Sequence, residues 1–281
     1  MHIKTKSLIR LYTPQPLLTG ASIMLDDARA HYVRHVMRLS DGDMIGIFNA
    51  QAGEWLALVS LHGKRDVQLT ISEQIAQPRH SPDLWLAFAP IKNKTDLVVE
   101  KATELGVSAL LAVFTRHAVV RSINKEKLEA HAIEAAEQCE RHDIPHIEEY
   151  KDLAALLSAW PKDRTLLYGD ESGGGETLKK LLDSLSLQGG GSGRGLYGIL
   201  IGPEGGFSAE EHAMLNSAPF VKSFSLGPRI LRADTAAVAA LACVQMWLPS
   251  SCEARSDCAG SHAIGQDPAL ALLAPQDDEE L

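Results

Sequence analysis

The chain has 281 residues, 45% of them apolar, four cysteines and a formal net charge of −9. That length and apolar content can fill two cores, while no apolar run approaches the roughly 18 residues of a membrane span. Cys139, Cys243, Cys252 and Cys258 show neither CxxC nor paired spacing, which argues against a disulfide framework. The basic start, Met1 to Arg10, lacks the apolar stretch of an export signal, so the expectation is a cytoplasmic protein.

Residues 1–78 read as β structure with one helix. Asp26 and Asp27 can cap a helix from Ala28 to Leu39, with Val33, Val36 and Met37 as its apolar stripe and Arg29, Arg34 and Arg38 elsewhere on its surface. Met44 to Asn49, Glu54 to Leu61 and Val67 to Ile71 are short strands between Gly-containing turns, and a small β-barrel is their natural closure.

Between 82 and 249 the pattern alternates strand and helix. Leu84 to Ile91 is a buried strand, Thr95 to Leu105 a helix closed at Gly106, and Ala109 to Phe114 the next strand. A long helix, Lys125 to Glu140, leads to a strand at Ile144 to Ile147, a helix at Leu153 to Trp160, a strand at Thr165 to Tyr168 and a helix at Thr177 to Leu187. This predicts an α/β domain with a parallel sheet. Lys92, Asn93 and Lys94 make a basic loop after the first of these strands. Residues 188–194 form a glycine-rich flexible insertion. The GxGxxG match at 193–198 is set aside, because a loop precedes it and a strand follows. Residues 250–281 are an acidic tail expected to be disordered.

Charge follows the same division. Residues 1–80 carry nine Lys/Arg against seven Asp/Glu, residues 81–249 seventeen against twenty-two, and the tail one against seven. Most of the acidity therefore lies outside the first segment, whose mild basic bias suits RNA or a merely solvated surface.

Three loops carry the chemistry. The apolar run Gly195 to Ile201 stops in Gly202-Pro203-Glu204-Gly205-Gly206, and a helix opens at Ser208 with Glu211 three residues later, the spacing of a capping box. A strand from Val221 to Leu226 leads into Gly227-Pro228-Arg229-Ile230-Leu231-Arg232-Ala233-Asp234, whose charges are poor core material. Leu166 to Glu171, with Tyr168, Gly169 and Asp170, is a third strand and acidic loop. These loops converge on one pocket only if their strands lie side by side in parallel. Cys139, His142, Asp143 and His146 have a spacing that zinc can use, but they straddle a helix end and a Pro145 turn, with no second cluster to close a tetrahedral site. No metal is assigned.

The pairing of IGPEGGFSAEE (201–211) with LGPRILRADTA (226–236), preceded by Lys101-Ala102-Thr103-Glu104-Leu105-Gly106-Val107 and Ala135-Ala136-Glu137-Gln138, resembles the RsmE family. These are the 16S ribosomal RNA uridine N3-methyltransferases of the SPOUT class, and the resemblance covers roughly residues 8 to 248. It implies a PUA-like β-barrel over 1–78, followed over 82–249 by an α/β domain whose C-terminal part is tied in a trefoil knot that binds S-adenosylmethionine. It also implies a homodimer acting on 16S RNA in the small subunit. The adenosine is expected on backbone groups of Leu226, Gly227, Ile230 and Leu231, with Gly202 and Gly205 leaving room, Glu204 touching cofactor or base, and Tyr168 counted with them. Arg10, Arg34 and Lys92 match basic positions expected to reach RNA, and Arg229 is a candidate for the flanking phosphate or the uracil anion.

Methylation at uracil N3 needs its proton removed and the resulting anion stabilised. Asp234 is the candidate base, where relatives commonly carry Glu, and Arg232 the candidate anion partner. The alternative is a SPOUT-fold RNA-binding assembly factor without catalysis, supported only by Asp at 234 and opposed by the intact glycine loops.

Overall fold

A computed structural model describes residues 8–171, 175–188 and 196–248. The expected insertion, apart from Gln188, and the acidic tail from 250 onward fall outside the described residues. The chain divides into two compact units, residues 8–80 with 136–144, and 81–135 with the described residues from 145 onward. Residues 136–144, which the sequence reading placed inside the second domain, thus belong to the first unit.

In the first unit, β1 (Arg10–Tyr12), β2 (Ser22–Met24), β3 (Met44–Asn49), β4 (Gly53–His62) and β5 (Asp66–Ala76) form a sheet in the order β1-β3-β4-β5-β2. Only the β1–β3 pair is parallel. Ile45, Ile47, Ala57, Val59, Val67, Leu69 and Ile71 alternate inward and are almost fully buried. Asp26 caps the helix as expected, accepting from Arg29 N–H at 2.9 Å, but α1 (Asp27–His31) is one turn long and passes into a π-helical turn at Tyr32–Val36. The wider turn rotates the stripe. Val33 is buried against the sheet, whereas Val36, expected beside it, is 58% exposed.

Two arginines assigned to RNA prove to be internal ties of this unit. Arg10 is 7% exposed; its Nε donates to Glu54 (3.0 Å), its Nη1 to the carbonyls of Ala136 (3.0 Å) and Glu137 (3.3 Å), and its Nη2 to that of Arg141 (3.1 Å). With five donors and no acceptor, the guanidinium satisfies a helix end whose carbonyls lack partners of their own. Arg34 donates from Nη2 to the carbonyls of His62, Gly63 and Asp66 at 2.7–3.3 Å, so it locks the β4–β5 hairpin turn. The Arg10 fork is thereby spent inside the unit, whereas the bonds of Arg34 run through Nη2 alone.

The second unit is a seven-stranded parallel sheet: β6 (Leu84–Phe88), β7 (Ala109–Val113), β8 (His146–Tyr150), β9 (Arg164–Gly169), β10 (Glu176–Thr177), β11 (Leu196–Ile201) and β12 (Val221–Ser225), in the order β10-β12-β9-β11-β6-β7-β8. The helices are α2 (Thr95–Glu104), α3 (Lys125–Gln138), α4 (Leu153–Ala159), α5 (Leu178–Gln188), α6 (Ala209–Ser217) and α7 (Ala233–Trp247), the end of α3 falling in the first unit. Strands buried on both faces read as continuous apolar runs, as Leu196–Ile201 does. Buried Arg164, with its guanidinium 3.7 Å over Trp85 and bonded to Asp83 (2.5 Å) and Tyr197 O (3.1 Å), ties the N-terminal ends of β9, β6 and β11 together.

Candidate active site

β12, β9 and β11 are adjacent, as convergence of the three loops requires, and their register brings their carboxyl ends level, pairing Phe224 with Gly169 and Leu200 with Tyr168. The loops after them enclose a cleft of about 510 Å³. Its walls are Gly169 to Glu171 after β9, Gly202 to Gly206 after β11, and Leu226 to Leu231 after β12, together with Ala233 and Ala236 of α7. Ligands in open parallel sheets bind at such a carboxyl edge.

Gly202, Glu204, Gly205, Leu226, Gly227, Arg229, Ile230 and Leu231, all singled out from the sequence, line this cleft. Tyr168 does not. Alternation along β9 turns its ring into the core beside Phe207 and His212, where its hydroxyl donates to Asn216 of α6 (3.1 Å) and burial raises its pKa. The cleft residues from β9 are instead the next three. Gly202 is glycine for packing: a Cβ there would lie 2.9 Å from the Phe207 ring. Glu204 is exposed and free of capping duty, because Ser208 caps α6, accepting from Glu211 N–H (3.2 Å) while Glu211 accepts from Ser208 N–H (2.8 Å). That is the capping box the sequence predicts.

Arg232 and Asp234 stand at the start of α7, outside the cleft lining. Arg232 is the N-cap residue, with its side chain exposed. Asp234 lies 2.5 Å from Lys94 Nζ, its side chain only 14% exposed. The Lys94 ammonium holds the Asp234 carboxyl below the usual carboxylate range, helped by N–H groups of the helix start. Because the folded-state value is depressed, the pair stabilises fully at neutral pH, and its contribution is lost as acid protonates Asp234. Lys92 is exposed on the turn before α2. The importance of Lys94 was missed because its partner is 140 residues away.

Two further side chains, Glu171 and His117, bond the cleft loop itself. Glu171 Oε1 accepts from Phe207 N–H at 3.0 Å, and His117 Nδ1 lies 3.0 Å from Gly205 O. Asp170, Glu171 and His212 bring ligand-type atoms within 4.8 Å of one another, a trio the sequence reading did not single out; the Phe207 N–H and His212, 3.4 Å away, already account for Glu171. The set weighed for zinc is divided among other partners. His142 sits 3.5 Å from Glu54, Asp143 accepts from Arg141 (3.1 Å), His146 lies 2.6 Å from Glu148, and Cys139 is exposed.

Residues 79–245 match the model of the RNA methyltransferase domain, and residues 25–72 that of the RNA methyltransferase PUA domain. The chain is 36% identical over 247 residues to the ribosomal RNA small subunit methyltransferase E of Rickettsia conorii, covering 87% of this chain and 97% of that protein. The protein of the same name from Bacillus subtilis is 28% identical, with 83% and 93% covered. A structure from Legionella pneumophila, described as a methyltransferase in complex with bound SAM, has a TM-score of 0.71 at 26% identity, covering 85% of this chain and 97% of that one. A ribosomal RNA small subunit methyltransferase E from Neisseria gonorrhoeae, bound to S-adenosyl methionine, shares the fold with a TM-score of 0.72 at 24% identity and the same coverage. The second unit therefore carries an RNA methyltransferase domain and the first contains a PUA domain. With both domains matched and a relative covered almost end to end, this chain belongs to the ribosomal RNA small subunit methyltransferase E family.

Proposed function

We propose that this chain transfers the methyl group of S-adenosylmethionine to N3 of a uridine in the 16S RNA of the small ribosomal subunit, in the cytoplasm. The observation that carries the reading is the cleft at the carboxyl edge of β12, β9 and β11, about 510 Å³ in volume and lined by the glycine-containing loops that follow these strands. That size suits a single nucleoside-like ligand. The adenosine is assigned to Leu226, Gly227, Ile230 and Leu231, and the segment from Gly202 to Gly205 lies across the cleft. Asp170 and Glu204 put carboxylates around it, which favours a cationic sulfonium. Lys92, Arg229 and Arg232 are exposed cations suited to RNA phosphate or to the developing uracil anion. On family grounds, the part of the domain from β9 to α7 is read as the knotted segment. The test is to incubate the protein with labelled S-adenosylmethionine and small subunits lacking the modification, then digest the RNA and identify nucleosides by mass spectrometry. N3-methyluridine is expected; label in another nucleoside, or none, overturns the reading.

We assign the N3 proton to solvent rather than to Asp234. A carboxylate held ionised by Lys94 is a weaker base than a free one. Its place in the first turn of α7 makes it an anchor for the loop that carries Arg232. Asp234→Asn is expected to keep single-turnover transfer within about tenfold of wild type, whereas loss of a general base typically costs about 100-fold to 10,000-fold. The rate should climb with pH in both proteins. A loss of the larger size with a flattened pH profile would restore Asp234 as the base.

The homodimer is read from the family and from exposed apolar side chains on and beside α7. Ile230 and Met246 are each 90% exposed, Val238 is 37% exposed on α7, and Leu97 is 39% exposed on α2, which packs against α7. Met246→Glu is expected to shift the protein to monomer in light scattering, with native circular dichroism. An unchanged dimer would place the interface elsewhere.

A further inference from the structure

Two consecutive glycines make Gly205–Gly206 the least constrained backbone of the cleft, since glycine visits both signs of φ. Gly206 uses that freedom, with φ +68°. Yet the segment is held from both sides by side chains to which the transfer chemistry above gives no task. From the loop after β7, His117 Nδ1 lies 3.0 Å from Gly205 O and 3.2 Å from Gly206 O. Both partners are carbonyls, so this nitrogen carries the proton and donates. From the loop after β9, Glu171 Oε1 accepts Phe207 N–H at 3.0 Å and sits where a Gly206 side chain would begin, against His212 at 3.4 Å. Glu211 completes the arrangement, accepting from Arg116 N–H at 2.8 Å and so fixing the backbone just before His117. β7 and β9 lie on opposite sides of β11 in the sheet, so the two ties converge from opposite directions on the loop between them. His117 and Glu171 are exposed side chains, and neither is needed to fill the core.

We propose that His117 and Glu171 are positioning residues that clamp the Gly205–Gly206 peptide in the conformation that receives the methyl donor. The inference rests on the assignment of this cleft to S-adenosylmethionine. A released Gly-Gly segment spreads over many conformations, and apparent affinity falls by the fraction that remains competent. Turnover at saturating donor is then little changed, because a loop already filled has the right shape.

The full-length protein is compared with His117→Ala, His117→Asn, Glu171→Ala and Glu171→Gln, measuring S-adenosylmethionine binding by calorimetry, KM and kcat with small subunits, and thermal melting. Asn can present an amide N–H close to the position of Nδ1, and Gln keeps the acceptor oxygen. Both alanine variants are expected to raise Kd and KM for the donor about tenfold, as loss of a bond of ordinary strength would, with kcat within about twofold. The Asn and Gln variants should return to within about threefold of wild type. Alanine variants with unchanged Kd, whatever their melting temperature, overturn the clamp and leave these contacts as ordinary loop packing. A Glu171→Gln variant as weak as Glu171→Ala also overturns it for Glu171, since charge rather than tethering would then matter. Wild-type protein that gives no binding heat overturns the cleft assignment itself, and the two failures are thereby told apart.

Discussion

Arg10→Ala is expected to cost the first unit about 3–5 kcal/mol of stability, the range for removing one partner from a buried charged network. The guanidinium is bonded to Glu54 and to three backbone carbonyls at 3.0–3.3 Å and lies 4.0 Å over the Phe48 ring. Burial alone would push the Glu54 carboxyl up, but hydrogen bonds from His142 and Arg10 bring it below its ordinary value. Removing Arg10 therefore leaves the Glu54 carboxylate to His142 alone and takes the side-chain donor away from the carbonyls. Arg10→Lys should rescue little, because one ammonium cannot reproduce the fork. Urea unfolding followed by tryptophan fluorescence checks this. A variant that melts like wild type but has lost RNA affinity would reinstate the phosphate role.

Gly206→Val is expected to weaken S-adenosylmethionine binding by roughly 100-fold, combining backbone strain of about 1–3 kcal/mol at positive φ with a steric conflict. Its Cβ would lie 2.3 Å from Glu171 Oε1, at φ +68°. The damage falls on the cleft loop, so circular dichroism should stay native. Gly205→Val is the milder change, since the nearest atom to its Cβ is in the His117 side chain, at 3.1 Å, and its φ is not positive. Calorimetry on both variants ranks them; equal affinities would mean that the clash is relieved by a simple swing of Glu171.

What could be read from the sequence was what short-range physics encodes. The capping box at Ser208 and Glu211, the buried strands and the glycine-walled loops at their carboxyl ends depend on residues a few positions apart. Tyr168 was misassigned because strand alternation fixes opposite faces without saying which one meets a loop. The π-helical turn at Tyr32–Val36 carries no pattern distinct from an α-helix, so Val36 was placed inside. Arg10, Arg34, Lys94 and Glu171 all bond partners 28 or more residues away. A charged side chain in isolation reads as solvent-facing or ligand-facing; only the fold shows that its partners are backbone groups and charged side chains of the same chain.

The return of residues 136–144 to the first unit has a practical consequence for dissecting the protein. A fragment cut at residue 80, where the strand pattern stops, would leave behind the carbonyls of Ala136, Glu137 and Arg141 and the imidazole of His142. Such a fragment would contain every strand of its sheet and still carry a buried cation facing an empty socket. A self-standing version would need the nine-residue stretch grafted back, for example by joining it through a short linker to the end of β5.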